Sequence, residues 1–160
     1  MDSVKKYTGL VTIAGITVLV DQITKGIVMH TFALHENIQV IPGFFALTHI
    51  RNTGGAFGLL AGEATLMRTL FFLAVAISAL GIVVCFYTRL TAGKPWIAVA
   101  FAMIFGGALG NLIDRVRFGE VIDFLDFHIG AAHWPAFNIA DSAISIGAAI
   151  LFLSALFRKI

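Results

Sequence analysis

Charged residues are scarce in this sequence: Asp, Glu, Lys and Arg make up 12% of its 160 residues, about half the share found in soluble domains. Apolar residues make up 59%, whereas soluble proteins have roughly 45–50%. A soluble domain of this length could not bury so much apolar surface and still present a polar exterior. The scarcity of charge therefore excludes an ordinary soluble fold. It predicts a single domain, residues 1–160, that lies largely in lipid.

Cysteine and clustered basic charge are also lacking. The one cysteine, Cys85, lies inside an apolar run, which excludes a disulfide framework and a cysteine-based zinc cluster. The eleven Lys and Arg residues give a net charge of +2 and form no basic stripe, so we expect no nucleic-acid partner.

Four segments are long and apolar enough to cross a membrane, which takes about 20 residues. They cover residues 7–29, 69–88, 95–113 and 137–157. No A-x-A cleavage site follows the first segment, so we expect it to be retained as a span. Residues 36–50 and 120–129 are rich in β-forming residues. The sequence thus predicts an all-α polytopic membrane protein, with four transmembrane helices and a small β-element at one membrane surface.

Basic residues predict the orientation of this bundle. Asp2 is the one acid at the end that holds both termini, and the other eight of the nine acids fall towards the opposite end. Six of the eleven basic residues accompany Asp2: Lys5, Lys6, Arg89, Lys94, Arg158 and Lys159. By the positive-inside rule, both termini are expected in the cytoplasm and the β-element outside.

Polar residues gather towards the predicted outer ends of the spans, although ionisable groups in a membrane cost several kcal/mol and usually serve function. Some have structural explanations. Asp21 and Lys25, four residues apart, fit an ion pair that ties a helix end to the membrane interface. Asp114 beside Arg117 fits an exposed acid at a helix end. The five histidines fit interfacial or loop positions, since no G-x-S-x-G nucleophile motif accompanies them.

Asp123 and Asp141 are harder to explain structurally, because their neighbours Ile122, Phe124 and Ala140 are apolar. Two carboxylates brought together in such surroundings share one proton. The ionised member can then take a proton from water while the protonated member polarises a peptide carbonyl. The residues alone leave the identity of the pair open, since Asp21, Asp114 and Asp126 also qualify.

Four sequence blocks occur in this order: Asp21-Gln22-Ile23-Thr24-Lys25, Asn52-Thr53-Gly54-Gly55-Ala56-Phe57, Gly106-Gly107-Ala108-Leu109-Gly110-Asn111-Leu112-Ile113-Asp114-Arg115 continuing to Gly119-Glu120-Val121-Ile122-Asp123-Phe124, and Phe137-Asn138-Ile139-Ala140-Asp141-Ser142. Together they resemble the motifs of the lipoprotein signal peptidase (signal peptidase II) family of aspartyl peptidases. Gly55 stands where Ala is expected, and this departure puts nothing catalytic in doubt.

The resemblance implies four transmembrane helices with a β-cradle on the periplasmic side of a bacterial inner membrane. It implies a peptidase that cleaves prolipoproteins just before a diacylglyceryl-modified cysteine and needs no metal. We expect a monomer without a cofactor. Membrane lipids and cyclic peptide inhibitors of the globomycin type are the other expected partners. By motif position the site residues are Asp123 and Asp141 as the catalytic dyad, Asn52 and Arg115 for the substrate backbone, and Asp21, Asn111 and Asn138 as supporting residues.

Two other functions fit part of the sequence. Asp123, Asp126 and His128 could bind Mg²⁺ in a lipid head-group phosphotransferase, although the upstream D-G-x-x-A-R motif of such enzymes is lacking. Intramembrane carboxylates also occur in proton-coupled transporters. Transport sites lie near the midplane between repeated halves, whereas these acids gather at one face and the sequence has no repeat.

Overall fold

A computed structural model describes residues 3–55, 62 and 65–157 of the chain. Asp2, Arg158, Lys159 and the end of the second motif block, Ala56 and Phe57, lie outside the described residues. The elements are α1 (Ser3–Thr31), β1 (Asn37–Ile41), β2 (Phe45–Asn52), α2 (Leu66–Leu90), α3 (Pro95–Phe118), β3 (Val121–Ile129), β4 (Ala132–His133) and α4 (Ile139–Leu156).

The predicted four spans and β-element are confirmed. All four helices are long and apolar enough to cross a membrane. Their outer faces carry large apolar side chains, such as Val11 at 69% and Phe152 at 68% exposed. Aliphatic and aromatic faces of this size fit lipid and not water. The helices run up and down, so the α2–α3 turn lies at one end of the bundle and the strands at the other, here called the sheet end.

The helix ends follow local sequence signals. Pro95 occupies the first turn of α3, where its missing N–H costs nothing. Gly119 ends α3 with φ 77°, a left-handed conformation that glycine adopts without strain. Helix α3 therefore continues through Asp114, Arg115 and Arg117, five residues beyond the predicted span.

Helix α3 is the central helix and contacts the other three. Glycine residues of α3 let α1 and α4 approach it closely. A methyl group on Gly106 would lie 2.9 Å from Ala14 Cα of α1. A methyl group on Gly107 would overlap the backbone oxygen of Ala140 and lie 2.8 Å from Ile144 Cγ1, both on α4. Small residues at helix crossings are the usual means of tight packing in membranes.

The four strands form one antiparallel sheet in the order β1-β2-β3-β4. Strand β2 pairs with β3 from Phe45 opposite Phe127 to Asn52 opposite Val121, with a β-bulge between. The segment before α4 is tied to β3, because Phe137 exchanges backbone hydrogen bonds of 2.8 and 3.1 Å with Leu125. This tie brings the start of α4 beside the middle of β3.

Candidate active site

A cavity of about 530 Å³ opens at the sheet end between α3, α4 and β3. Much of its wall is apolar, including Trp134, Phe137 and Ile144. The predicted site residues in its lining are Asn52, Asn111, Arg115, Asp123 and Asp141. The other two predicted residues, Asp21 and Asn138, are fully buried behind this lining. The structure therefore brings all seven together.

Asp123 lies in β3 and is 2% exposed. Its Oδ1 accepts a 2.7 Å hydrogen bond from Asn138 Nδ2, and its Oδ2 accepts one of 3.1 Å from Asn52 Nδ2. Burial, and secondly the charge of nearby Asp141, raise the pKa of Asp123 to about 7, although both hydrogen bonds act in the opposite direction. Near neutral pH this carboxyl group can therefore hold a proton.

Asp141 lies in the first turn of α4 and forms a capping box with Asn138, the N-cap. Asn138 Oδ1 accepts from the Asp141 backbone N–H at 2.9 Å, and Asp141 Oδ2 accepts from the Asn138 backbone N–H at 3.3 Å. The other carboxylate oxygen, Oδ1, accepts a 2.8 Å hydrogen bond from Asn111 Nδ2. The side chain of Asp141 is thus oriented by both α4 and α3.

Two asparagine amides connect the carboxyl groups. Asn138 Nδ2, which donates to Asp123, also lies 3.2 Å from Asn111 Oδ1, while Asn111 donates to Asp141. Asn138 is completely buried, so its amide group needs these partners. Such a connected set of hydrogen bonds holds the two carboxyl groups in a fixed relative position.

Arg115 and Asn52 form the polar wall beside the dyad. Arg115 Nη2 donates to the backbone oxygen of Gly54 at 2.9 Å, and its guanidinium carbon lies 5.3 Å from the centre of the Phe72 ring. Asn52 Oδ1 accepts from the Gly54 backbone N–H at 2.8 Å. Because both side chains line the cavity, they offer N–H donors near a peptide bound there.

Lys25 lies behind the dyad in a buried ion triad, where its Nζ is 2.9 Å from Asp21 Oδ2 and 2.8 Å from Asp114 Oδ2. The predicted Asp21–Lys25 ion pair is therefore confirmed, and it is buried between helices, since the two side chains are 0% and 1% exposed. The prediction of an exposed Asp114 is wrong. Asp114 is fully buried because Lys25 neutralises it.

Similarity to known proteins identifies the family of the chain. A family model described as "Signal peptidase (SPase) II" matches residues 13–157. The chain belongs to the signal peptidase II family. The lipoprotein signal peptidase of Syntrophus aciditrophicus is 52% identical over 140 residues, which cover 88% of this chain and 86% of the relative. That of Desulforapulum autotrophicum is 49% identical over 151 residues, covering 94% and 93%.

Solved structures agree with this family membership. Two bacterial membrane enzymes, solved in meso at 2.3 Å and 1.9 Å resolution, share 38% sequence identity with the chain. They superpose with TM-scores of 0.84 and 0.80. The first match covers 94% of this chain and 88% of the other, and the second covers 92% of each. The resemblance found in the four sequence blocks is thereby confirmed.

The structure does not bring together Asp123, Asp126 and His128, the three residues that could bind Mg²⁺ in a phosphotransferase. Successive side chains of a strand point to opposite faces, so Asp126 and His128 of β3 share a face that Asp123 does not. Asp126 contacts Asn37 at 3.2 Å and His133 at 2.9 Å, and not the dyad. In the part of the chain that the structure describes, no group of three His, Cys, Asp or Glu residues could hold a metal ion.

The histidine prediction is partly wrong. His49 and His128 are 4% and 7% exposed and lie within strands β2 and β3, not in loops. Both ring nitrogens of His128 lie 3.2 Å from an oxygen, Nδ1 from Gly130 O and Nε2 from Gln39 Oε1, which explains its burial. His49 Nδ1 lies 3.1 Å from Phe32 O, whereas its Nε2 is buried without a hydrogen-bond partner among the described residues.

Proposed function

We propose that this protein is a membrane aspartyl endopeptidase that removes signal peptides from prolipoproteins, cutting just before a diacylglyceryl-modified cysteine. Membership of the signal peptidase II family supports the reaction. The structural observation that supports the catalytic residues is the pair Asp123 and Asp141. These carboxyl groups come from different elements, line one cavity and are connected through Asn111 and Asn138.

In the proposed reaction Asp123 starts protonated and Asp141 ionised. Asp141 takes a proton from a water molecule, whose oxygen bonds to the scissile carbonyl carbon while Asp123 gives its proton to the carbonyl oxygen. The tetrahedral intermediate then breaks its C–N bond, and the leaving nitrogen receives the proton held by Asp141. Asp123 regains its proton from the new carboxyl group. Water is consumed and the dyad returns to its starting state.

Asn52 and Arg115 are proposed to hold the substrate backbone, because both line the cavity beside the dyad. The apolar part of the lining includes Ile144 and Ile146, and Ile146 is half exposed on the lipid-facing surface. This wall gives the acyl chains of the modified cysteine a surface continuous with the membrane. Each buried methylene contributes about 0.8 kcal/mol, which favours lipidated over unmodified precursor.

Asp21, Asn111 and Asn138 are proposed to support the site, and residues 1–160 to form one peptidase domain that acts as a monomer without a cofactor. Cyclic peptides of the globomycin type are proposed to occupy the cavity of about 530 Å³. Such inhibitors would raise the KM for prolipoprotein and leave kcat unchanged.

The fall in kcat/KM at alkaline pH should follow the loss of the proton from Asp123. Because its pKa is about 7, raising the pH above that value removes the proton donor, and kcat/KM should fall about tenfold per pH unit. Asn52 donates a hydrogen bond that lowers this pKa. The substitution Asn52→Ala should therefore raise the pKa further and move the alkaline limb to higher pH, as measured by kcat/KM for prolipoprotein cleavage across pH 5–10.

Asn37→Ala is the matched control for that profile, because Asn37 donates to Asp126 instead of to the dyad. Its alkaline limb should coincide with that of the wild type. An Asn52→Ala limb that stays in place, or moves to lower pH, would contradict the assignment of the proton to Asp123.

We propose a bacterial inner membrane location, with both termini in the cytoplasm and the active site facing the periplasm. The α2–α3 turn lies at the end of the bundle opposite the sheet, where Arg89 and Lys94 flank it, as the positive-inside rule requires of a cytoplasmic turn.

In a Cys85→Ser background, a cysteine at exposed Ala131 should react with a membrane-impermeant maleimide added to spheroplasts. A cysteine at exposed Ala92 should react after lysis. The reverse pattern would invert the proposed orientation.

A further inference from the structure

The ammonium group of Lys25 is buried and contacts three oxygen atoms of the protein. Its Nζ lies 2.9 Å from Asp21 Oδ2, 2.8 Å from Asp114 Oδ2 and 3.0 Å from Asn111 Oδ1. An ammonium group has three N–H donors, so each contact uses one of them. Lys25 is 1% exposed, and its charge therefore acts on these neighbours without screening by water.

The contact with Asn111 determines which end of that amide group faces Asp141. Asn111 Oδ1 accepts from Lys25, and the opposite end of the amide, Nδ2, donates 2.8 Å to Asp141 Oδ1. Turning the amide by half a revolution would place its NH₂ group against the ammonium and its oxygen against the carboxylate. Both contacts would be repulsive, so the positive charge of Lys25 favours the orientation that serves Asp141, together with the weaker contact of 3.2 Å from Asn138 Nδ2 to the same oxygen.

The two carboxylates of the triad also hold the backbone beside each member of the dyad. Asp21 Oδ1 accepts a 2.9 Å hydrogen bond from the N–H of Ala140, the residue before Asp141. Asp114 Oδ2 accepts one of 3.2 Å from the N–H of Ile122, the residue before Asp123. The triad therefore contacts the chain immediately ahead of both catalytic residues.

We propose that Lys25 is a positioning residue of the peptidase: through Asn111 it orients Asp141, and with Asp21 and Asp114 it sets the spacing of the two carboxyl groups. The inference rests on the proposed function of the dyad. A purely structural triad would only hold α1 against α3. The two roles differ in what they predict for catalysis, because a positioning residue acts on kcat through Asn111, whereas a structural one acts through the amount of folded enzyme.

A double-mutant cycle separates the two roles. Lys25→Met, Asn111→Ala and the double variant would be assayed in detergent on a diacylglyceryl-modified prolipoprotein, beside the wild type. We expect Lys25→Met to lower kcat by roughly 10–100-fold, the range found for partners that orient metal ligands, with KM changed less than about threefold. The double variant should lose less kcat than the product of the two single losses, because both substitutions remove the same effect on Asp141.

Lys25→Met leaves two carboxylates together in the interior, which could prevent folding. The variant Lys25→Met/Asp114→Asn keeps the net charge of the triad and an oxygen that can accept from Ile122, and it should show the same fall in kcat. Ile97→Ala provides the control for lost stability, because Ile97 is buried in the cluster with Val83 and Tyr87, at the opposite end of α3. Its folded fraction should retain the wild-type kcat despite a lower melting temperature.

Wild-type kcat in a folded Lys25→Met/Asp114→Asn variant would overturn the inference. So would losses that multiply in the cycle, or a fall in kcat of Ile97→Ala equal to that of the lysine variants. A wild-type enzyme that leaves the prolipoprotein uncut would instead refute the proposed function, so the two failures are distinguishable.

Discussion

Asp123→Asn and Asp141→Asn should each reduce prolipoprotein cleavage by about 10²–10⁴-fold, as expected when one member of an acid–base pair is removed. Asparagine keeps the shape of the side chain but cannot exchange a proton at neutral pH. The Asp123→Asn variant cannot give a proton to the carbonyl oxygen, and the Asp141→Asn variant cannot take one from water. Initial rates on a diacylglyceryl-modified prolipoprotein, followed by gel in detergent, would measure both losses.

Asp126→Asn is the matched control, because Asp126 lies three residues from Asp123 in the same strand but contacts Asn37 and His133. It should cleave within about threefold of the wild type, because Asp126, although only 6% exposed, contacts no atom of the dyad, and asparagine keeps an oxygen that can accept from Asn37. Chelation by EDTA should leave the wild-type rate unchanged, whereas a metal-dependent transferase or peptidase would lose activity.

Near-normal cleavage by either dyad variant would remove that residue from the mechanism and return Asp21 and Asp114 to consideration. Loss of cleavage in Asp126→Asn, with the folded state intact, would show that the sheet face carrying His128 and His133 takes part in the reaction.

Gly107→Ala should damage stability and activity together. The added methyl group would overlap the backbone oxygen of Ala140, the residue before Asp141. Backbone cannot rotate away as a flexible side chain can, so α4 has to shift. Overpacking costs about 1–3 kcal/mol, and a displacement of about 1 Å at a catalytic group can cost about 10²-fold in rate. Thermal unfolding in detergent and kcat on prolipoprotein would measure the two effects.

Gly81→Ala is the control for the change in residue type. Gly81 lies in α2, and a methyl group there would meet no atom within 4 Å. This substitution should leave kcat unchanged and slightly raise the melting temperature, because alanine is favoured over glycine in a helix by roughly 1 kcal/mol. If Gly107→Ala behaved like Gly81→Ala, the tight α3–α4 crossing would not be what places Asp141.

Hydropathy located every span because each is a stretch of about 20 mostly apolar residues, the length that a bilayer requires. It ended the third span at residue 113, while helix α3 continues to Phe118. Hydropathy measures solubility in lipid, and a helix can continue past that limit when its charged residues find partners. The sequence signal for the end of α3 is Gly119, which adopts a left-handed φ in the structure.

The environment of Asp114 was not predictable from local sequence. Its neighbour Arg117 suggested an exposed acid, but its partner is Lys25 on another helix. Pairings between distant parts of the chain depend on how α1 and α3 pack, which spacing within one helix cannot reveal. The family motifs predicted the location of the site more accurately than local spacing did, since the seven residues that they selected all lie at or directly behind one cavity. Their catalytic and binding roles stay predictions.

The capping box that joins Asn138 to Asp141 has a consequence for biogenesis. Under the proposed mechanism, the hydrogen bonds that start helix α4 are also those that orient one catalytic carboxylate. A nascent chain whose fourth helix has not yet entered the bilayer therefore has no active site. Under the same mechanism, proteolytic competence arises only when α4 inserts, so molecules without an inserted α4 could not cut other membrane proteins.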